Sequence, residues 1–217
     1  MVKLCLGTAN FGSKYGLSKN KIANNELLKI MHLANKNDLF NIDTSFEYFN
    51  SHKKLREIIK KKTNITTKIF LDKKSNFISI KKKIFDFNKN SPAKINSLLL
   101  HNQNDALHPK KIELVKRLKT EGVISKIGVS VYDFSILEDI LKLWTPDIIQ
   151  IPVNPFNLDF ISSKFLKKIK KKKILIFARS IFLQGLLVKE SNILGKKYKK
   201  DLKDWFNFCK LKIIHPV

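Results

Sequence analysis

Short apolar runs in this chain end in, or carry, polar side chains that can do chemistry. The run from Leu39 ends in Asp43, with Tyr48 five residues on. The runs from Ile65 and Ser97 end in Lys68 and His101. Ser130 closes the fifth run, Gln150 lies within the sixth, and the seventh leads into Arg179 and Ser180. A lysine near a tyrosine hydroxyl favours the phenolate and lowers its pKa from the ordinary ~10. An aspartate beside that lysine keeps the ammonium oriented. A histidine within reach can hydrogen-bond a carbonyl or relay a proton. Asp43, Tyr48, Lys68 and His101 together would make a proton donor for a carbonyl oxygen that is gaining negative charge. Ser130 and Gln150 are neutral hydrogen-bonding groups suited to holding a carboxamide. Taken singly, each residue has a blander reading: an aspartate or serine as a helix cap, a snorkelling lysine, a structural histidine, a packed tyrosine. The joint pattern is what argues for a site.

These groups can meet only if the elements bring them together. The apolar runs are Leu4 to Gly7, Leu39 to Asp43, Ile65 to Lys68, Ser97 to His101, Ile127 to Ser130, Ile148 to Pro152 and Ile174 to Ala178. Near-continuous apolar runs of this length read as parallel strands buried on both faces. Helical patterns lie between them: residues 24–36, residues 51–61, and a third stretch marked by Phe77, Ile80 and Ile84. Pro109 stands at a first helical position, Asp133 at a cap, and Thr120-Glu121-Gly122 reads as a stop. Phe160, Phe165 and Ile169 mark a further helix after Asn157, and a last one runs from about Lys199 to Lys210. Strict β-α alternation leaves an open doubly wound sheet or a (β/α)8 barrel. The turn Gly7-Thr8-Ala9-Asn10-Phe11-Gly12 has neither the dinucleotide nor the P-loop glycine pattern. In a parallel barrel all strand carboxyl ends face one mouth, where groups from distant segments converge.

At these residues the sequence resembles the aldo-keto reductase family. Leu6-Gly7-Thr8-Ala9-Asn10-Phe11-Gly12, followed by Tyr15-Gly16, is similar to that family's opening strand and loop. Asn41-Ile42-Asp43-Thr44, then Tyr48, resembles its Asp-Thr-Ala-x-x-Tyr-Gly motif. Thr67-Lys68 and Leu98-Leu99-Leu100-His101 fall where the family carries its catalytic lysine and histidine. Glu121-Gly122, Lys126 to Ser130, and Gln150 with Asn154 match further segments, and Ala178 to Leu187 is similar to a stretch in a bacterial branch. The resemblance implies an α/β fold, a (β/α)8 TIM barrel that is incomplete: about seven units, with the eighth strand and its flanking helices missing. It implies one domain over residues 1–217 that reduces an aldehyde or ketone with NADPH or NADH. Tyr48 would be the general acid, tuned by Lys68 and Asp43, with His101 orienting the carbonyl. Gly7, Thr8, Asp43, Ser130 and Gln150 would line the cofactor site. Arg179 and Ser180 would flank the nicotinamide, and Leu183, Gln184 and Gly185 would lie near the pyrophosphate. The departures are Phe49 for a glycine, His52 for a glutamate and Val131 for an asparagine.

Composition sets the outer bounds. The 217 residues are 43% hydrophobic, enough for a sizeable core. Cys5 and Cys209 are the only cysteines, too few for a disulfide framework or a four-thiolate zinc site. No apolar run reaches the ~20 residues that span a bilayer. A cytoplasmic protein without a membrane partner is the expectation. The net charge is +25, yet only Arg56, Arg117 and Arg179 are arginines. Specific base and phosphate readout favours arginine. The scattered lysine runs therefore read as solvated helix faces rather than a nucleic-acid site. Three alternatives to the reductase stay open: an impaired or partner-bound subunit associating through barrel edges, a Schiff-base lyase using Lys68, and a polyanion binder.

Overall fold

The structure is a computed structural model and describes residues 3–12, 22–188 and 199–211. Tyr15 and Gly16 of the opening motif lie outside the described residues. Among the described residues seven strands alternate with seven α-helices: β1 (Leu6–Gly7), α1 (Asn24–Lys36), β2 (Asn41–Asp43), α2 (Ser51–Ile58), β3 (Asn64–Ile69), α3 (Phe77–Lys89), β4 (Ile95–Leu100), α4 (Pro109–Thr120), β5 (Lys126–Ser130), α5 (Phe134–Leu143), β6 (Ile148–Pro152), α6 (Ser163–Lys171), β7 (Leu175–Arg179) and α7 (Lys199–Leu211). The strands pair in sequence order, β1 through β7, and every pairing is parallel. The result is an incomplete (β/α)8 barrel: a curled sheet of seven strands with the helices on its outer face.

Alternation along each strand separates two layers. Ile65, Leu98, Val129 and Ile149 turn outward and are fully shielded against Leu55, Ile80, Ile84, Val115, Leu118, Leu137 and Ile140 from the helices. The neighbouring positions Asp43, Lys68, Ser130 and Gln150 turn inward. Gly128 on β5 is required by this arrangement. A Cβ there would stand 2.1 Å from the Ile148 carbonyl oxygen and 2.6 Å from Leu99 Cδ2, so only glycine lets β4, β5 and β6 close to pairing distance.

Local signals explain the element ends. Asp133 Oδ1 accepts the backbone N–H groups of Ser135 and Ile136, capping α5. Pro109 opens α4, and Gly122, at φ 68°, turns the chain out of it. Several boundaries differ from the sequence expectation, and three of them have a clear local cause. β2 begins at Asn41 rather than Leu39. Asp38 adopts φ 54°, and the Leu39 N–H returns to the Ala34 carbonyl at 2.8 Å, so those residues finish α1. α2 stops at Ile58 because Ile59 is extended, and a Lys60–Thr63 turn leads into β3. Phe160 sits in a separate short turn, Asp159–Ile161, because Ser162 accepts from the Phe165 N–H and caps α6 afresh.

Candidate active site

The inward residues near the carboxyl ends of β2, β3, β5 and β6 form one connected network. Lys68 Nζ donates to Asp43 Oδ1 in an ion pair whose lysine side chain is only 2% exposed. Gln150 Nε2 donates to the same Asp43 oxygen at 3.0 Å, although 107 residues separate the two. Ser130 Oγ donates to Gln150 Oε1 at 3.3 Å. A buried ammonium without a partner would be costly, and Asp43 with the Gln150 dipole answers that cost. Cys5 is another neighbour of this pair. Although the residue as a whole is exposed, burial of its thiol and then the charge of Asp43 push it up to about 12, against Lys68. It is therefore not a nucleophile at neutral pH.

Tyr48 and His101 stand over this network. The Lys68 Nζ lies 5.5 Å from the Tyr48 ring centroid. The Tyr48 and His101 rings meet edge to face, with centroids 6.0 Å apart. Asp43, Tyr48, Lys68 and His101 are thus brought together from three consecutive strands and the loop after β2. His101 follows directly on the last residue of β4, and its N–H bonds the Ile69 carbonyl of β3 at 2.9 Å.

Two residues of this cluster carried no signal recognised in the sequence. Ser45 Oγ lies 3.1 Å from His101 Nδ1, and Glu47 Oε2 lies 3.2 Å from the same nitrogen. Ser45 also donates to Glu47 Oε2, and the Phe70 N–H donates to Glu47 Oε1 at 2.8 Å. Burial pushes the Glu47 carboxyl up, but bonds from His101, Ser45 and Phe70 outweigh it and hold it down at about 2. The spacing Asp43-x-Ser45-x-Glu47 places polar groups at every second residue, a pattern that could have drawn attention to both.

The loop after β1 acts as a brace. Thr8 is fully buried: its N–H and hydroxyl donate to the Asp43 carbonyl, and Ser51 Oγ donates to the Thr8 carbonyl at 3.2 Å. A Cβ on Gly12 would fall inside the Phe49 carbonyl, so glycine lets this loop lie against the segment carrying Tyr48. His52 secures the other side, bonded to Thr67 Oγ1 at 3.0 Å and packed against Phe46 and Phe87. Burial pulls its pKa down to about 4, with Arg56 and Lys68 adding and Glu47 opposing. His52 is therefore a neutral structural ring.

The remaining sequence-derived site residues are placed as follows. Gly7 lies open, with no atom within 4 Å of a would-be Cβ. Arg179 donates to the Val131 carbonyl at 3.2 Å and to Ser180 Oγ, and stacks its guanidinium 3.7 Å over the Tyr132 ring. It thereby ties the end of β7 to the end of β5. Ser180, Leu183 and Gln184 all adopt positive φ, as does Gly185 at 96°. That cluster of left-handed residues is held by short turns such as Gly185 N–H to the Phe182 carbonyl at 2.9 Å. Non-glycine residues in that region store strain, which concentrates at functional loops. An open groove of about 450 Å³ reaches the tetrad at His101 and is walled by Glu47, Phe70, His101, Asn102, Gln103, Asn104 and Tyr132. Gln103 shapes it by accepting the N–H groups of Tyr132 and Asp133 on its Oε1.

Comparison with known proteins gives the same direction. The glycerol dehydrogenase of Gluconobacter oxydans superposes with a TM-score of 0.69 at 17% identity, covering 98% of this chain and 75% of that one. A Bombyx mori aldo-keto reductase solved with NADP gives 0.68 at 17%, with 98% and 73% covered. An aldo-keto reductase from Bacillus halodurans in its holo form gives 0.65 at 21%, with 93% and 70% covered. No curated protein matches the chain by sequence. The sequence matches the family model described as the aldo/keto reductase family over residues 3–213. With the barrel, the order of its strands and nearly its whole length accounted for, this chain belongs to the aldo/keto reductase family.

Proposed function

We propose that the chain reduces an aldehyde or ketone to the alcohol with NADPH or NADH, Tyr48 serving as general acid. The observation that carries this reading is the buried Asp43–Lys68 pair lying under the Tyr48 ring, with His101 beside it and lining an open groove. A carbonyl oxygen held there would gain charge next to a phenol backed by an ammonium, which stabilises that charge and the phenolate left behind. The nicotinamide supplies the hydride when bound.

The inward polar groups suit such a cofactor. A carboxamide needs one donor and one acceptor. Ser130 supplies a hydroxyl, and Gln150 keeps a second amide hydrogen and a second lone pair beyond its bonds to Asp43 and Ser130. Thr8 is committed to the Asp43 backbone carbonyl and the Ser51 hydroxyl, so its role is positioning the Tyr48 loop rather than meeting the cofactor. Arg179 would act by holding the β7 loop in place. Lys68 is engaged by Asp43 inside the barrel, an arrangement that favours tuning Tyr48 over attacking a carbonyl as a free amine.

The test is Tyr48→Phe. The wild type should consume NADPH with short aldehydes, and the variant should lose at least about 10²-fold in kcat, the scale of a general acid, while still quenching on NADPH titration. Full turnover by the variant would overturn the role of Tyr48. Tight NADPH binding by the wild type without turnover of any aldehyde or ketone would favour the impaired-subunit reading instead.

A further inference from the structure

We infer that Glu47, assisted by Ser45, is a positioning residue that fixes the neutral His101 ring as its Nδ1–H tautomer. This rests on the reductase reading for its consequence but not for its measurement.

The argument is one of donor inventory. His101 Nδ1 has two polar neighbours, Ser45 Oγ at 3.1 Å and Glu47 Oε2 at 3.2 Å. Glu47 is a carboxylate throughout the neutral range and can only accept. Ser45 has a single proton, and its shortest contact is to Glu47 Oε2, with the Lys68 carbonyl 3.3 Å away as a second acceptor. An unprotonated Nδ1 would aim its lone pair at the Glu47 anion across 3.2 Å, which is repulsive. The arrangement with every group satisfied has Nδ1–H donating to Glu47 and to the Ser45 oxygen. The hydrogen bond made by one ring nitrogen decides the state of the other. Nε2 of the neutral ring is therefore an acceptor. The charged groups around His101 agree: Glu47 from the loop after β2 sits against Nδ1, while the ammonium of Lys68 from β3 lies towards the Tyr48 ring.

The consequence is a division of labour in the groove. In this neutral form the bare Nε2 accepts a hydrogen bond from a hydroxyl and has no N–H to offer a carbonyl oxygen. The Tyr48 hydroxyl is then left as the donor to the carbonyl. His101 becomes a seat for a hydroxyl, either that of the alcohol product or one carried next to the carbonyl.

The test is long-range proton–nitrogen NMR of the imidazoles in the cofactor-free protein, followed through a pH series until the His101 nitrogen shifts no longer change with added base. His101 is assigned by its loss in His101→Asn. The wild type should show a pyrrole-type Nδ1 and a pyridine-type Nε2. Ser45→Ala should retain that pattern, because the carboxylate alone still requires the Nδ1 proton. Glu47→Ala should move the ring mainly to the Nε2–H form. A wild-type Nε2–H tautomer, its appearance in Ser45→Ala, or an unchanged Nδ1–H form in Glu47→Ala would each overturn the inference. The wild-type spectrum decides even if a variant fails to fold. The readout needs no turnover, so it fails or succeeds independently of the Tyr48→Phe experiment.

Discussion

Lys68 and Glu47 carry opposite charges at the mouth of this barrel, and each has its own measurable consequence. Lys68→Met would leave Asp43 largely buried with only the Gln150 amide for company. Removing one member of such a pair costs about 3 kcal/mol, and denaturant titration should show a loss of that order. The doubly neutral Lys68→Met/Asp43→Asn protein should recover part of it, since the uncompensated charge is gone. Glu47 is expected to act through pH. Its carboxyl is held at about 2 against an ordinary value of 4.5. The unfolded chain therefore takes up a proton at this group before the folded chain does. The stability contributed by ionised Glu47 is fully present above about pH 4.5 and is lost as the pH falls towards 2. In an acid titration followed by circular dichroism, Glu47→Gln should lack this component and give a flatter profile between those limits. A profile identical to the wild type would mean that the His101, Ser45 and Phe70 bonds do not hold the carboxylate in solution.

Among the elements, β5 and the loop after β1 show how backbone geometry reaches the site. Gly128→Ala would place a methyl 2.1 Å from the Ile148 oxygen. That nearest neighbour is backbone, which cannot swing aside as the Leu99 side chain can, so β5 and β6 must part. Overpacking of this kind costs about 1–3 kcal/mol, and the displacement passes along β5 and β6 to Ser130 and Gln150. The variant should thus lose stability and weaken NADPH affinity together, read by thermal melts and fluorescence titration. A destabilised protein with unchanged NADPH affinity would place the cofactor elsewhere than against Ser130 and Gln150. Much of this element-level organisation was legible beforehand. The apolar runs, Pro109, Asp133 and Gly122 marked their strands, starts and stops. The boundaries that shifted, at Leu39, Ile59 and Phe160, were decided by hydrogen bonds of the return turn and by the Ser162 cap, which composition and periodicity do not reveal.

At the scale of the whole molecule the dominant feature is charge. Asp and Glu number 18 against 43 Lys and Arg, and among the described residues many of the cations lie on exposed helix positions. Like charges spread over a surface of 14032 Å² repel one another in the folded state more than in an expanded chain. Raising the ionic strength from about 0.01 to 0.15 M shortens the screening length from ~30 to ~8 Å. The melting temperature should therefore rise with salt over that range. A fall with added salt would mean that attractive pairs such as Lys119–Asp147 outweigh the net repulsion.

The sequence by itself determined the alternation of strands and helices, and the placing of Asp43, Lys68, His101 and Ser130 at the ends of apolar runs with Gln150 within one. Those follow from local rules: near-continuous apolar runs for buried strands, a cap or a proline at a helix start, and a likeness carried by contiguous motifs. Only the tertiary structure decided that Gln150 reaches Asp43 across 107 residues, that Thr8 is sealed as a brace, and that Arg179 spends its guanidinium on Tyr132 and Val131. It likewise disclosed Glu47 and Ser45 behind His101. The reason is physical. A side chain's donors and acceptors are fixed by its type, but their partners are fixed by which strand ends the sheet's curvature brings within about three ångströms, and that distance exists only once the sheet has curled around them.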